Sequence, residues 1–558
     1  LGNESGYGEN LRDGARLVKS LDSTRPVHYE STYRLDDISD EDLDFVSEMY
    51  THPDDVRKFL TRQDEKRPFI LCEYCHAMGN GPGDLEDYHN LFMESDRICG
   101  GLIWEWADHA VILGKTDDGR IKYGYGGDSG EEKHDSNFCM DALCYPDRIP
   151  HTGLLEAKQV YRPVRVEKGN KSGQFKIKSL LRFINAGDYL ECRYELSCDG
   201  KILSNGRLDF SVPPMGETEI SVPEAAGDFD TDTFIRFIFL AKNNYSVFKD
   251  GDEVCFDQLK IHETQKQIQE TKGKISACIE SALYFKIQAG EISYIFNRRT
   301  AQFDGINVGG ENIISKPVEY NFFRAPIDND RMKDDWYSAH LNNYTVKVYE
   351  TSLKEEDGKA VIHVSESFGW LRDQPFAKLN AEYVIDGSGA LEIKCDAEFS
   401  NKVDLLPRFG LRFFVPKHID TVEYFGYGPY ESYIDKHQAS YIGNFNSRIS
   451  DMHEDYIRPQ ENGSHCGCTW MKAYGLQNGI QFENPKGFSF NASEYTQEEL
   501  SAKKHNFELE KSEYNILCVD FAMAGVGSAA CGPALAQKFR IPLPKTSGNI
   551  RLMPLRKN

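Results

Sequence analysis

For its first 160 residues or so, the chain alternates short apolar runs with stretches whose apolar positions recur at helical spacing. Pro68-Phe69-Ile70-Leu71-Cys72-Glu73 is a continuous apolar run that predicts a strand buried on both faces. Phe45–Tyr50, Val27–Tyr29 and Cys99–Trp106 read the same way, and Leu1–Glu4 reads as the tail of another strand. Between them, Leu11, Ala15, Leu17 and Val18 fall on one helical stripe. Asp54–Leu60 and Asp84–Met93 predict two more helices, the second with Leu85, Tyr88, Leu91 and Phe92 on one face. Doubly buried strands separated by helices predict a parallel sheet, here of five strands.

From about residue 165 the period changes to two. Leu190, Cys192, Tyr194 and Leu196 alternate with polar residues, and Asp199-Gly200 marks a hairpin turn. The pattern divides the chain into an α/β unit over residues 1–164, an immunoglobulin-like β-sandwich with a polar linker over 165–272, and a large β-sandwich over 273–558. The fold class expected is multidomain, α/β plus all-β.

A chain of 558 residues exceeds what one core organises. Its net charge of −23 would repel a phosphate backbone, which excludes nucleic acid as a partner. The sequence contains no apolar run of about 18 residues, so no membrane span is expected. Fourteen cysteines are too dilute for a disulfide scaffold; Cys72, Cys75, Cys466 and Cys468 read as buried structural thiols, and the compartment stays open. The opening Leu1-Gly2-Asn3-Glu4 is neither an initiator nor a leader, so an amino-terminal portion of the same protein is expected upstream.

Two glutamates carry the candidate chemistry. Glu4 in Leu1-Gly2-Asn3-Glu4-Ser5-Gly6, and Glu73 in Leu71-Cys72-Glu73-Tyr74-Cys75-His76-Ala77-Met78-Gly79-Asn80, each end an apolar run and open into a glycine-bearing loop. Two carboxylates facing one cleft are what cleavage of a glycosidic bond requires: a protonated acid for the leaving oxygen and an ionised group for the sugar carbon. The plainer alternatives are a solvated loop carboxylate for Glu4 and a buried ion-pair partner for Glu73. Other motifs fail: Gly2–Gly6 has its serine misplaced for a nucleophile elbow, and Gly124–Gly127 lacks the third glycine of a dinucleotide loop. Asp328-Asn329-Asp330 lacks the spacing and closing Glu of a calcium loop.

Together these motifs resemble those of the large bacterial β-galactosidases of glycoside hydrolase family 2. The resemblance continues through Gly100–Trp106, Asn137–Asp141, Phe323–Asp330, Gly426–Tyr433 and Gly525–Ser528, and so covers the whole chain from mid-barrel onward. It implies that residues 1–164 hold strands 4–8 of a (β/α)8 barrel, and that 273–558 is galactose-mutarotase-like. It implies Glu4 as acid/base, Glu73 as nucleophile, and Asn3, Tyr50, His76 and Trp104 as substrate-binding residues. A barrel-rim tyrosine and a core tryptophan would look the same as Tyr50 and Trp104.

It also implies magnesium on Glu4 with further ligands upstream, and sodium on the Phe138 carbonyl and Asp141, where asparagine is the familiar residue. Cys531 stands where the best-known members carry an aromatic platform for the leaving group. The activity implied is that of a retaining exo-β-galactosidase, with a β-galactoside as substrate, a homo-oligomer as the assembly, and the carboxyl groups about 5–5.5 Å apart. A β-glucuronidase or β-mannosidase of the same family, or a noncatalytic carbohydrate-binding or assembly fragment, stays open at this point.

Overall fold

Phe69, Leu71 and Tyr74 are fully buried, and the strand that carries them is the middle one of a parallel sheet. The computed structural model describes residues 1–30, 32, 39–244, 247–264 and 273–556. The sheet has the order β1 (Val46–Met49), β2 (Phe69–Tyr74), β3 (Ile98–Ile103). Helix α1 (Glu9–Leu21) packs its Ala15 in a separate cluster with Val27, Tyr29 and Leu43, while two helices, α2 (Pro53–Leu60) and α3 (Leu85–Met93), pack with the sheet. In α2, Pro53 opens the first turn where no amide is needed, and His52 accepts the Asp54 amide. The core under β2 gathers Val56, Leu85, Tyr88 and Leu91, the faces predicted from helical spacing.

Two expected strands are not strands. Leu1–Glu4 is exposed and irregular, and Val27–Tyr29 is irregular. At Val27 both backbone groups are taken by one residue: its amide donates to the Asp44 carboxylate and its carbonyl accepts the Asp44 amide, which leaves no ladder to propagate. A single parallel bridge, Glu30 to Ser47, is what joins this segment to the edge of β1.

After β3 come a hairpin of β4 (Val111–Lys115) and β5 (Ile121–Gly124), then α4 (Thr152–Val160). Two antiparallel sheets of three and four strands follow, between Val164 and His262, around a core of Val166, Ile177, Leu190, Phe237 and their neighbours. Residues 265–272 of the predicted linker lie outside the described residues. The remaining chain forms a five-stranded and a twelve-stranded sheet over one core reaching from Ile275 to Leu552. All fourteen cysteines are unpaired, and no helix among the described residues is long and apolar enough to cross a membrane.

That last core contains one costly group. Glu366 points inward from the strand Lys359–Gly369, beside the Tyr320–Tyr383 hydroxyl pair, with one carboxylate oxygen lacking a partner among the described residues. Burial pushes its carboxyl up to about 8. The folded state therefore keeps a proton that the unfolded chain releases near its ordinary value. Stability is fully retained below that ordinary value and lost as pH rises toward about 8. Glu366→Gln is expected to stabilise the C-terminal sandwich by a few kcal/mol, on the order of 2–4, at pH 9 and by little at pH 5. Urea titrations at the two pH values check this.

The α/β unit and the C-terminal sandwich meet through buried polar side chains. Lys436 Nζ donates to Asn80 Oδ1 (3.0 Å), Thr152 Oγ1 (2.7 Å) and Glu431 Oε1 (3.0 Å). Glu431 also accepts from the Tyr456 hydroxyl and the Gly463 amide. Burial pushes its carboxyl up, but Lys436 and these donors hold it below its ordinary value. Asn80 in turn donates to Tyr433 Oη and the Glu461 carbonyl. The loop that leaves β2 is thus fastened to the sandwich four residues after His76.

Candidate active site

Glu73 ends the buried strand β2, and its backbone carbonyl accepts the Tyr50 amide at 2.9 Å, which ties together the carboxyl ends of β1 and β2. Tyr50 and Cys75 both take left-handed backbone conformations (φ 55° and 47°), so each strand turns sharply as it leaves the sheet. Glu73 is 9% exposed. Burial raises its carboxyl pKa; the charges of Glu4 and Glu30 add to the rise, while the Tyr50 hydroxyl and the Asn3 amide oppose it. Tyr50 is itself raised, first by burial and then by Glu73. Asn3, Glu4, Tyr50 and Glu73 therefore act on one another, although Asn3 and Glu4 lie some seventy residues away in sequence.

Glu4 is exposed and adopts φ 51°. Its amide donates to Glu30 Oε1 (2.8 Å), and the next amide, of Ser5, donates to the Tyr29 hydroxyl (3.0 Å). Glu30 is buried, with its other oxygen unpartnered among the described residues, and it bridges β1. Sequence reading missed this residue. Its signal was a carboxylate directly after Val27-His28-Tyr29, the same arrangement of apolar run then Glu that marked Glu73.

The other expected residues extend the cluster. The Tyr50 and His76 rings meet edge-on with centroids 5.8 Å apart, and Phe138 packs on His76 at 5.5 Å. Asp141 Oδ2 accepts the Trp104 indole N–H at 3.1 Å and lies 3.6 Å from His76 Nε2. Burial holds the His76 imidazole below its ordinary pKa, against the pull of Asp141 and Asp328. Trp104 follows β3; its amide donates to the Tyr74 carbonyl and its carbonyl accepts the Ala77 amide, so the loop after β2 is laced to the end of β3. Ring and hydrogen-bond contacts thus join Tyr50, His76, Trp104, Phe138 and Asp141, and Glu73 is linked to Tyr50, Asn3 and Glu4 through their effects on its carboxyl.

Metal ligation divides the two expected sites. Asp141 is buried, and its Oδ1 has no hydrogen-bond partner among the described residues, a donor set that fits an oxygen ligand of a cation. For magnesium, no group of three or more His, Cys, Asp or Glu suited to a metal occurs among the described residues. Glu4 would need ligands beyond them.

The C-terminal sandwich reaches this region through two loops. Asp328 accepts from the Asn137 amide (2.9 Å), Arg458 and Gln460 (2.9 Å), which binds it to the segment preceding Phe138. The Cys531 thiol, half-buried, is raised by burial and by the charges of Asp141, Glu73 and Glu4, and lowered by Arg331.

Three family models match the chain in order. A TIM barrel domain of glycosyl hydrolases family 2 matches residues 1–166, domain 4 of β-galactosidase matches 175–262, and the β-galactosidase small chain matches 288–552. A β-galactosidase of Actinobacillus pleuropneumoniae is 37% identical over 553 residues, covering 97% of this chain and 53% of that protein. One of Staphylococcus xylosus is 33% identical over 556 residues, covering 97% and 55%. The chain spans about half the length of the curated relatives it matches. Among solved structures, a galactose 1-epimerase from Lactobacillus acidophilus aligns with 51% of this chain and 100% of its own, at TM-score 0.30 and 10% identity.

Proposed function

This chain belongs to glycoside hydrolase family 2, and from that premise we propose that the protein containing it is a retaining exo-β-galactosidase. The observation that carries the reading is the placement of Glu73, a buried carboxylate at a strand end, faced by Tyr50 and Asn3 and close enough to Glu4 to feel its charge.

In the proposed reaction, a Glu73 oxygen attacks the anomeric carbon and the glycosidic C–O bond breaks. Glu4 gives its proton to the departing oxygen. A galactosyl ester on Glu73 results. Glu4, now ionised, takes a proton from water; that water attacks the same carbon, the ester bond breaks, and galactose leaves with net retention. The Tyr50 and Asn3 donors oppose the rise that burial causes in the Glu73 carboxyl and so favour its ionised form. His76 and Trp104 would line the sugar. Asp141 with the Phe138 carbonyl would hold sodium, and Glu4 with ligands outside the described residues would hold magnesium. A cation at Asp141 would supply charge compensation beside His76 and Trp104.

The test is substrate choice by the whole protein. The kcat/KM for 4-nitrophenyl β-D-galactoside is expected to exceed that for the β-D-glucuronide and β-D-mannoside by about a hundredfold or more, because a pocket that pairs sugar hydroxyls strongly rejects sugars that leave its polar groups unpaired. Preference for either rival, or turnover of none of the three, would defeat the proposal.

A further inference from the structure

Glu4 stands on an irregular segment in a backbone conformation that its own residue type disfavours. Its φ of 51° lies in the left-handed region, where residues other than glycine persist only when their surroundings hold them. Hydrogen bonds on two consecutive amides supply that hold. The Glu4 amide donates to Glu30 Oε1 at 2.8 Å, and the Ser5 amide donates to the Tyr29 hydroxyl at 3.0 Å.

The two acceptors are set more firmly than the donors. Tyr29 is fully buried, with its ring 5.4 Å from that of Tyr7 and in one cluster with Ala15, Val27 and Leu43. Glu30 is 3% exposed, and its backbone bridges Ser47 of β1, which pairs in turn with Ile70 of β2. Further along the same strand stands Glu73. A carboxylate oxygen that accepts an amide makes a charge-assisted bond, stronger than a neutral one. The connection from Glu4 to Glu73 thus runs through the Glu30 side chain and across two strand pairings.

Resting on the β-galactosidase reading, we propose that Glu30 is the positioning residue of the acid/base: its carboxylate, by accepting the Glu4 amide, sets where the Glu4 carboxyl meets the leaving oxygen. Proton transfer is the event that needs this placement. Glu4 must come within hydrogen-bond reach of the glycosidic oxygen, and a carboxyl displaced by about 1 Å loses on the order of a hundredfold in rate. Glu30 acts through the Glu4 backbone and exchanges no proton in the reaction.

The experiment uses the whole protein and two substrates. Methyl β-D-galactoside releases methoxide, which must be protonated as it leaves, whereas 2,4-dinitrophenyl β-D-galactoside releases a phenolate that leaves unaided. For both, kcat/KM reports the step up to the galactosyl ester. The methyl-to-dinitrophenyl ratio of kcat/KM is expected to fall about a hundredfold in Glu30→Leu, which removes the acceptor. Glu30→Asp keeps the charge but withdraws it by one methylene, and should lower the ratio about tenfold. Glu30→Gln keeps the reach and an accepting oxygen, and should lower it about threefold or less. Thermal unfolding reports the folding of each variant; where Glu30→Leu does not fold, the Asp and Gln variants decide alone. Equal losses on the two substrates in the folded variants would make Glu30 a structural carboxylate only and overturn the proposal. A larger fall in Glu30→Gln than in Glu30→Asp overturns it too, because charge rather than reach would then be at work. If the parent protein cleaves neither galactoside, the β-galactosidase reading fails first, and this inference falls with it.

Discussion

Replacing Glu73 with glutamine leaves a folded protein whose kcat is lower by about four orders of magnitude or more, because the volume and the contacts of Tyr50 and Asn3 survive while the nucleophile does not. Folding should tolerate the change well: burial already raises the Glu73 carboxyl, so a neutral amide at that site removes a cost. Glu4→Gly is the complementary probe, and the backbone favours it, since Glu4 sits at φ 51° where glycine is at ease. With a nitrophenyl galactoside as activated substrate, Glu4→Gly should still form the galactosyl ester, and azide should then restore turnover and yield β-galactosyl azide. Azide should not rescue Glu73→Gln to the β-product. Rescue in the opposite pattern, read from the anomeric configuration of the azide by NMR, means that the two roles are exchanged. The acid limb of kcat/KM should belong to Glu73, above the ordinary carboxylate range, and should vanish from the residual activity of Glu73→Gln.

The periodicity of residues 45–103 was enough to place β1, β2, β3 and the helices between them, because the central strand β2 is buried or half-buried along its whole length and each helix has one apolar side, although β3 leaves Cys99 and Leu102 exposed. It failed at Leu1–Glu4, whose only large apolar side chain is Leu1, and at Val27–Tyr29, where both backbone groups of Val27 bond to a distant residue, Asp44. The candidate glutamates stood out in sequence because Glu73 follows an apolar run within a distinctive motif and Glu4 stands in a motif of its own. Glu30 carried the first half of that signal and no motif. Cys531 was legible only through the resemblance; spacing could not place it, since its loop is stitched through Asn329 to Asn80, some 450 residues away in sequence.

That stitching leads to the largest stability effect expected in the molecule. Lys436 is 2% exposed, at the junction of the α/β unit and the sandwich, and its ammonium is shared among Asn80, Thr152 and Glu431. Lys436→Met fills similar volume but strands the Glu431 carboxylate in a buried site and leaves Asn80 Oδ1 without its donor. Breaking a buried pair from one side costs about 3–5 kcal/mol, far more than an exposed pair, because the remaining charge keeps its desolvation penalty. The loss should appear as a lowered urea midpoint. It should also appear in kcat/KM, since Asn80 anchors the loop bearing His76 to the sandwich and its carbonyl accepts the Asn329 side-chain amide. Removing both charges in Lys436→Met/Glu431→Leu should recover much of the urea midpoint, because no unpaired charge remains. It should recover less of kcat/KM, because Asn80 still lacks its donor. Recovery of both quantities together would mean that the junction supports the site only through overall stability. A Lys436→Met midpoint within experimental scatter of the parent would mean that the pair is solvated and fastens nothing.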